Sequence, residues 1–139
     1  MARWKDLVVG YELPPYTTPP LTRTDFVRYQ GASGDVNPAH HDDDFARAAG
    51  FPSAFAPGMY AAGVLGTYLT DSLGAQNIRR FAVRFSEQAW PGDQLTFTAR
   101  VAAREERDGE KFVELDARCV RQNGSVHVSG RATFVVPRL

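Results

Sequence analysis

The segment from residue 58 to residue 73 constrains the fold more than any other part of the chain. It is long enough for about four turns of helix, and its side chains leave little polar face, which is typical of a helix enclosed by other elements. Gly74 follows as a C-terminal cap. Gly63 and Gly66 each weaken such a helix by up to about 1 kcal/mol relative to alanine. We therefore expect something to pack closely against that side of the helix.

From residue 78 onward the apolar residues recur with a period of two, which indicates β-strands. Pro91-Gly92-Asp93 predicts a turn of the chain, and Asp108-Gly109 and Asn123-Gly124 are typical hairpin turns. The pattern predicts a four-stranded antiparallel meander with one apolar and one polar face, covered on its apolar face by the helix at 58–73. The predicted inward positions are Phe81, Val83, Phe85, Leu95, Phe97, Ala99, Val101, Val113, Leu115, Ala117, Cys119, Val126, Val128, Gly130, Ala132 and Phe134.

The residues that precede the long helix are less regular. Residues 1–21 are rich in proline, which excludes helix and favours an extended path over the surface. A short helix is predicted at 25–32, with Phe26 and Tyr29 on its inward face. A second short helix begins with the aspartates at 42–44, because negative charge is favourable at the amino end of a helix.

Composition limits the class of protein. A chain of 139 residues suits one domain with a modest core, and nothing divides it, so we expect a single domain over 1–139. Sixteen basic and sixteen acidic residues balance, so the charge favours neither nucleic acid nor an anionic membrane as a partner. Cys119 is the only cysteine, which excludes an internal disulfide, and residues 1–6 show no apolar signal core. We expect a cytoplasmic location.

The segment Gly34-Asp35-Val36-Asn37-Pro38-Ala39-His40 places a carboxylate and an imidazole within a few residues of each other. Asn37-Pro38 excludes regular helix at Asn37. On these residues alone a structural turn is the more typical interpretation. The alternative is that Asp35 and His40 form a catalytic pair that faces the amino end of the helix at 58–73.

A family resemblance favours the catalytic interpretation. The chain resembles the MaoC-like dehydratases, which include (R)-specific enoyl-CoA hydratases and the catalytic dehydratase subunits of actinobacterial type II fatty-acid synthesis. The resemblance covers essentially the whole chain and implies an α+β hotdog fold, in which an antiparallel sheet wraps around a long central helix. The motifs that carry it are Gly10…Pro14-Pro15, Leu21-Thr22-Arg23-Thr24-Asp25, Ser33-Gly34-Asp35-x-Asn37-Pro38-x-His40, Gly58-Met59, Arg84-Phe85 and Pro91-Gly92-Asp93-x-Leu95.

The resemblance also implies roles for individual residues. Asp35 and His40 would be catalytic, Asn37 would hold the loop, and the backbone N–H of Gly58 would stabilise an oxyanion. The family usually has His-Gly-Met where this chain has Pro57-Gly58-Met59. Proline is tolerated at the start of a helix and leaves the Gly58 N–H in place, but any contribution from a histidine side chain is lost.

The function implied is the interconversion of trans-2-enoyl and (R)-3-hydroxyacyl thioesters, a carbon–oxygen lyase reaction of fatty-acid metabolism that needs no cofactor. The thioester would be carried by CoA or acyl carrier protein, and the partner would be a second copy or a related hotdog subunit. Two alternatives stay open. The chain could be a hotdog acyl-CoA thioesterase, or a non-catalytic acyl-thioester-binding partner subunit, for which the only sequence support is Pro57.

Other polar residues have simpler interpretations. His40, His41 and the aspartates at 42–44 are consecutive, so they cannot all converge on one metal ion, and no metal site is expected. His41 is expected to be a solvated residue at a helix start. His127 is expected on the polar outer face of the sheet, and Cys119 as a small buried apolar residue.

Overall fold

The computed structural model of the protein describes residues 2–137. Met1, Arg138 and Leu139, which end the predicted domain 1–139, lie outside these residues, and the single-domain assignment stays a prediction. The helices are α1 (Arg23–Ser33), α2 (Asp43–Ala48) and α3 (Gly58–Leu73), with short 3-10 turns at Pro38–His40 and Ala75–Asn77. The strands are β1 (Tyr16–Thr17), β2 (Ile78–Phe85), β3 (Leu95–Arg107), β4 (Glu110–Arg121) and β5 (Val126–Val135).

The strands form one antiparallel sheet in the order β1-β3-β4-β5-β2. The predicted hairpins are confirmed, since β3 pairs with β4 and β4 with β5. The predicted meander is wrong for β2. This strand forms one edge of the sheet and pairs with β5, not with β3. The chain turns at 91–93 as predicted, but the connection 86–94 does not join neighbouring strands, because β4 and β5 lie between β2 and β3 in the sheet. The connection is held by backbone bonds from Ser86 to His127 and from Ala56 to Ala89.

The proline-rich leader also contributes to the sheet. β1 pairs with β3, and Glu12 forms a further bridge with Arg100. Leu7 and Leu13 are buried, so the predicted surface path is wrong in part. The extended conformation is correct, and it leaves backbone groups free to pair with β3: the N–H of Leu13 donates to the carbonyl of Ala99 at 2.9 Å.

Helix α3 lies against the apolar face of the sheet, as predicted. Leu65, Leu69 and Leu73 are buried in the same cluster as Phe97 and Phe134. The sheet therefore wraps around a long central helix, and the predicted α+β arrangement is confirmed. Across residues 2–137, none of the helices combines the length and apolar content that crossing a bilayer requires.

The edge strand β2 is less enclosed than the sequence predicts. Its inward residues Phe81 and Phe85 are 37% and 49% exposed. The Phe81 ring lies over Gly66, where a Cβ atom would approach it to 3.3 Å. Close packing against Gly66 is thus confirmed. The same expectation for Gly63 is wrong among residues 2–137, because beyond the neighbouring backbone of α3 itself no heavy atom lies within 4 Å of the position a Cβ would take.

Glycine-to-alanine substitutions at two positions should therefore have opposite effects on stability. Gly63→Ala should raise the free energy of unfolding by up to about 1 kcal/mol, because alanine is the better helix former and the space is open. Gly130→Ala should lower it by about 1–3 kcal/mol, because the new Cβ would meet buried Leu65 at 3.0 Å. Urea denaturation of both variants measures the two changes. A stabilised Gly130→Ala protein would contradict the packing described between β5 and α3.

Candidate active site

Asp35 follows directly from the end of α1. Gly34 ends the helix with a φ of 77°, and its N–H donates to the carbonyl of Gln30 at 2.9 Å. The left-handed conformation suits glycine and turns the chain away from the helix axis. One carboxylate oxygen of Asp35, Oδ1, accepts the backbone N–H of Asn37 at 3.2 Å. The other oxygen, Oδ2, is left to face His40.

His40 is buried and held in one orientation. Asn37 caps the 3-10 turn, since its side-chain oxygen accepts the N–H of Ala39 at 3.0 Å. The His40 Nδ1 lies 2.8 Å from the carbonyl oxygen of Phe55. A carbonyl can only accept, so Nδ1 carries the proton, and Nε2 of a neutral ring is an acceptor.

The two predicted catalytic side chains come together. His40 Nε2 lies 3.8 Å from Asp35 Oδ2. This separation is too long for a direct hydrogen bond and leaves both atoms available to a third group. The His40 side chain is 9% exposed whereas that of Asp35 is 46% exposed, so the pair opens to solvent on the Asp35 side.

The start of α3 is tied to the same segment. Phe55 donates its N–H to the carbonyl of Ala39 at 3.2 Å and accepts from His40, and its ring lies edge-on to the His40 imidazole with centroids 5.1 Å apart. Helix α3 begins three residues later at Gly58. Pro57 makes no side-chain cap, and the first N–H groups of a helix have no intrahelical acceptor.

Gly58 also lies close to an aromatic ring. A Cβ atom at this position would approach the Phe85 ring to 2.9 Å, so a side chain here would displace that ring. The helix dipole places partial positive charge at this end of α3. The arrangement therefore has two proton-accepting atoms on one side and backbone donors at a helix start held by the same loop.

Gln30, which was not among the residues predicted from the sequence, is buried in α1. Its Nε2 donates to the carbonyl of Asn37, and its Oε1 accepts from Nδ1 of His41, both at 2.9 Å. His41 is exposed, as expected, but it follows the 3-10 turn and is bonded to Gln30. The available signal was the position of Gln30 four residues after buried Phe26, which puts it on the inward face of α1.

The aspartates at 42–44 serve helix α2, as predicted. Asp42 caps it by accepting the N–H groups of Asp44 and Phe45. Asp43 accepts the N–H of Ala54 at 2.9 Å and a paired contact from Arg23, and these bonds lower its pKa. Within residues 2–137, no three His, Cys, Asp or Glu side chains lie close enough together to hold a metal ion.

A cavity of about 740 Å³ runs along α3 beside α1 and β1. Tyr60 and Tyr68 of α3 line it, and Tyr29 of α1 contacts Tyr60 edge-on with ring centroids 5.9 Å apart. Because Tyr60 is in the first turn of α3, the cavity begins close to Gly58. Tyrosines are the most frequent residues in its wall, and Thr67 and Asp71 add polar groups.

Residues 10–122 match the family described as the MaoC like domain. The chain belongs to this family. An (R)-specific enoyl-CoA hydratase from Rhodospirillum rubrum is 33% identical to it over 121 residues, which cover 84% of this chain and 81% of that protein. The resemblance stated from the sequence motifs is thereby confirmed.

Solved structures of MaoC-like proteins share the fold. A MaoC-like dehydratase from Rhodospirillum rubrum superposes with a TM-score of 0.86 at 23% identity, over 100% of this chain and 99% of that chain. The ChsH1-ChsH2 complex from Mycobacterium tuberculosis gives a TM-score of 0.80 at 26% identity, over 94% and 98% of the two chains. The fold is the hotdog fold, as expected, and one similar solved structure is a complex of two subunits.

The prediction of an exposed His127 is wrong, because His127 is 3% exposed. The pairing of β4 with β5 shifts between Cys119 and Val120, which leaves His127 as an extra residue between Val126 and Val128. Such a bulge breaks the alternation from which the outer face was inferred.

The imidazole of His127 is bonded on one side only. Its Nδ1 bonds the carbonyl of Glu87, and its Nε2 is buried with no hydrogen-bond partner among the described residues. Burial lowers the pKa of His127. Cys119, in contrast, is buried as predicted.

The buried His127 should make stability depend on pH below neutrality. Its folded-state pKa lies below the ordinary value of 6.5, so the unfolded chain binds the extra proton first as the pH falls. The free energy of unfolding should therefore decrease from pH 7.5 to pH 5, with a slope of at most about 1.4 kcal/mol per pH unit for this group. Urea denaturation of wild type and His127→Asn measures it, and the variant should show the shallower slope.

The two carboxylates whose pKa values are lowered, Asp43 and Asp93, act in a different pH range and do not obscure this effect. The pKa values of Asp43 and Asp93 are lowered below 3.8, by hydrogen bonds to Ala54 and to Arg121 respectively, with burial opposing the shift in Asp93. Their stabilisation persists above that pH and is lost only below it. Equal slopes for wild type and His127→Asn between pH 7.5 and 5 would contradict the neutral buried imidazole.

Proposed function

We propose that the protein interconverts trans-2-enoyl and (R)-3-hydroxyacyl thioesters, carried by CoA or acyl carrier protein, and that Asp35 and His40 perform the proton transfers. The observation that carries the proposal is the 3.8 Å separation of Asp35 Oδ2 and His40 Nε2, with Nδ1 of His40 bonded to Phe55. Family membership supports the class of reaction.

The separation suits a single water molecule. Both facing atoms accept hydrogen bonds, so a water that donates one proton to each presents its lone pair to a third atom. In hydration that atom is the β-carbon of the enoyl thioester. As the carbon–oxygen bond forms, one water proton passes to the pair, and the electrons of the double bond move to the thioester oxygen. A proton from the pair then adds to the α-carbon, and dehydration is the reverse.

The thioester oxygen gains negative charge in this step and needs donors. The N–H of Gly58 is in the first turn of α3, where the helix dipole favours an anion. We assign it the oxyanion role. Asn37 serves the site indirectly, because its backbone and side chain fix Asp35 and the 3-10 turn. The proposed reaction uses no cofactor. This point and the cytoplasmic location stay predictions.

Substitution of either member of the pair should abolish most of the activity. Asp35→Asn and His40→Ala should each lower the turnover of trans-2-enoyl-CoAs by a factor of about 100 or more, because each removes a proton acceptor. Asp44→Asn is the matched control, because the Asp44 side chain is 98% exposed and should leave turnover unchanged. The assay follows loss of the conjugated thioester over a series of chain lengths and resolves the handedness of the 3-hydroxy product.

The other functions predict different products. Release of free thiol would indicate a thioesterase. Binding of acyl thioesters without turnover, and unchanged in Asp35→Asn, would indicate a non-catalytic partner subunit. An (S) product, or full activity in both variants, would contradict the roles assigned to Asp35 and His40.

We also propose that the β2 edge joins a second copy or a related hotdog subunit. β2 ends the sheet, so its outer backbone groups have no strand beside them among residues 2–137. Phe81, Phe85 and Met59 are 37%, 49% and 53% exposed. An apolar edge of this kind suits pairing that would extend the sheet. The similar ChsH1-ChsH2 complex supports association between related subunits.

Charge at this edge should prevent the association. Phe81→Glu should lower the mass in solution from that of a dimer to that of a monomer, because a carboxylate would be buried in the proposed interface. Val27→Glu is the control, since Val27 is 53% exposed on α1, away from β2. Light scattering measures the mass, and circular dichroism checks that both variants fold. A Phe81→Glu protein that stays dimeric would place the interface elsewhere.

A further inference from the structure

The side chain of Gln30 spans the segment that carries His40. Gln30 is 5% exposed and uses both ends of its amide. Nε2 donates to the carbonyl of Asn37, just before the 3-10 turn, and Oε1 accepts from Nδ1 of His41, just after it. The turn Pro38–His40 is therefore attached to α1 on both sides by one buried side chain.

The backbone of Gln30 fixes the other member of the pair. Its carbonyl accepts the N–H of Gly34, which closes α1 one residue before Asp35. The end of α1 sets the position of Asp35. The side-chain amide of Gln30 sets the position of His40, because its two hydrogen bonds hold the residues on either side of the turn. One residue thus relates both side chains to α1.

We propose that Gln30 is a positioning residue that sets the separation of Asp35 and His40 for the reaction. It bonds to neither side chain directly, so it acts through Asn37 and His41. The proposal rests on the proposed function for its effect on turnover. The attachment of the turn to α1 can be tested without any substrate.

Removing the amide should lower the rate of the chemical step more than substrate binding. In Gln30→Leu we expect kcat to fall by about tenfold to a hundredfold, because a displacement of about 1 Å in a reacting group has an effect of this size. KM should stay within about twofold, since the amide of Gln30 is buried and both of its ends are already bonded, to Asn37 and to His41. The matched control is Gln76→Leu, the same change at an exposed position beyond the far end of α3.

A glutamate at the same position makes the test depend on pH. When protonated, the carboxyl of Gln30→Glu offers one donor to Asn37 and one acceptor to His41, as the amide does. When ionised, it has no donor and faces the Asn37 carbonyl with a negative charge. The ratio of variant to wild-type kcat should therefore rise towards one as the pH falls. Loss of folded protein alone would not produce this profile in kcat corrected for the folded fraction.

Amide hydrogen exchange separates the two proposals. The backbone amides of Asn37 and of residues 39–41 should exchange faster in Gln30→Leu than in wild type, and their exchange should be unchanged in Gln76→Leu. If wild type turns over no enoyl thioester, the proposed function fails, while the exchange result still decides whether Gln30 holds the turn. Unchanged exchange, a kcat within twofold of wild type, or a kcat loss with no rescue by Gln30→Glu at low pH would each overturn the role of Gln30.

Discussion

The enclosure of α3 by the sheet is the constraint on which the rest of the structure depends. Leu65, Leu69 and Leu73 are apolar side chains whose burial is favourable, and the strands supply an extensive apolar face that receives them. Burial of one face of the helix fixes where its first turn lies. Because loops 38–40 and 55–57 are bonded to each other and then to α3, the candidate site inherits its geometry from that packing.

The site is therefore built from loops but positioned by rigid elements. Asp35 lies at the carboxyl end of α1, Gly58 at the amino end of α3, and His40 on a short turn between them. The contacts that join them are hydrogen bonds of the backbone or of buried side chains, as in the bond from His40 to Phe55. Bonds of this kind hold side chains more precisely than exposed contacts do, because an unpaired buried group is unfavourable. A proton-transfer site requires such precision.

The features that depend on neighbouring residues could largely be predicted from the sequence. The features that depend on pairing between distant segments could be predicted less well. The bounds of α3, the two hairpins and the closeness of Asp35 and His40 follow from apolar periodicity, turn residues and a specific motif. The position of β2 beside β5 does not follow from these signals. Apolar periodicity indicates which residues of β2 face inward, but it does not indicate which strand is its neighbour. His127 was misassigned for a related reason, since a bulge in the pairing of β4 with β5 reverses the alternation at one residue. Gln30 was missed because a polar residue in a short helix looks solvated until its partners are known.

Pro57 is the main departure from the family pattern, and its setting fits a donor site at the start of α3. Pro57 has a φ of −56° and is among the fully buried residues, so it fixes the entry of the chain into the helix without a side-chain cap. A serine or aspartate at this position would accept one of the first N–H groups of the helix and leave fewer for a ligand. Proline makes no such bond, and the ring close to Gly58 excludes a larger side chain at the next position. The loss of a family histidine therefore leaves intact the backbone donors on which the proposed oxyanion role depends.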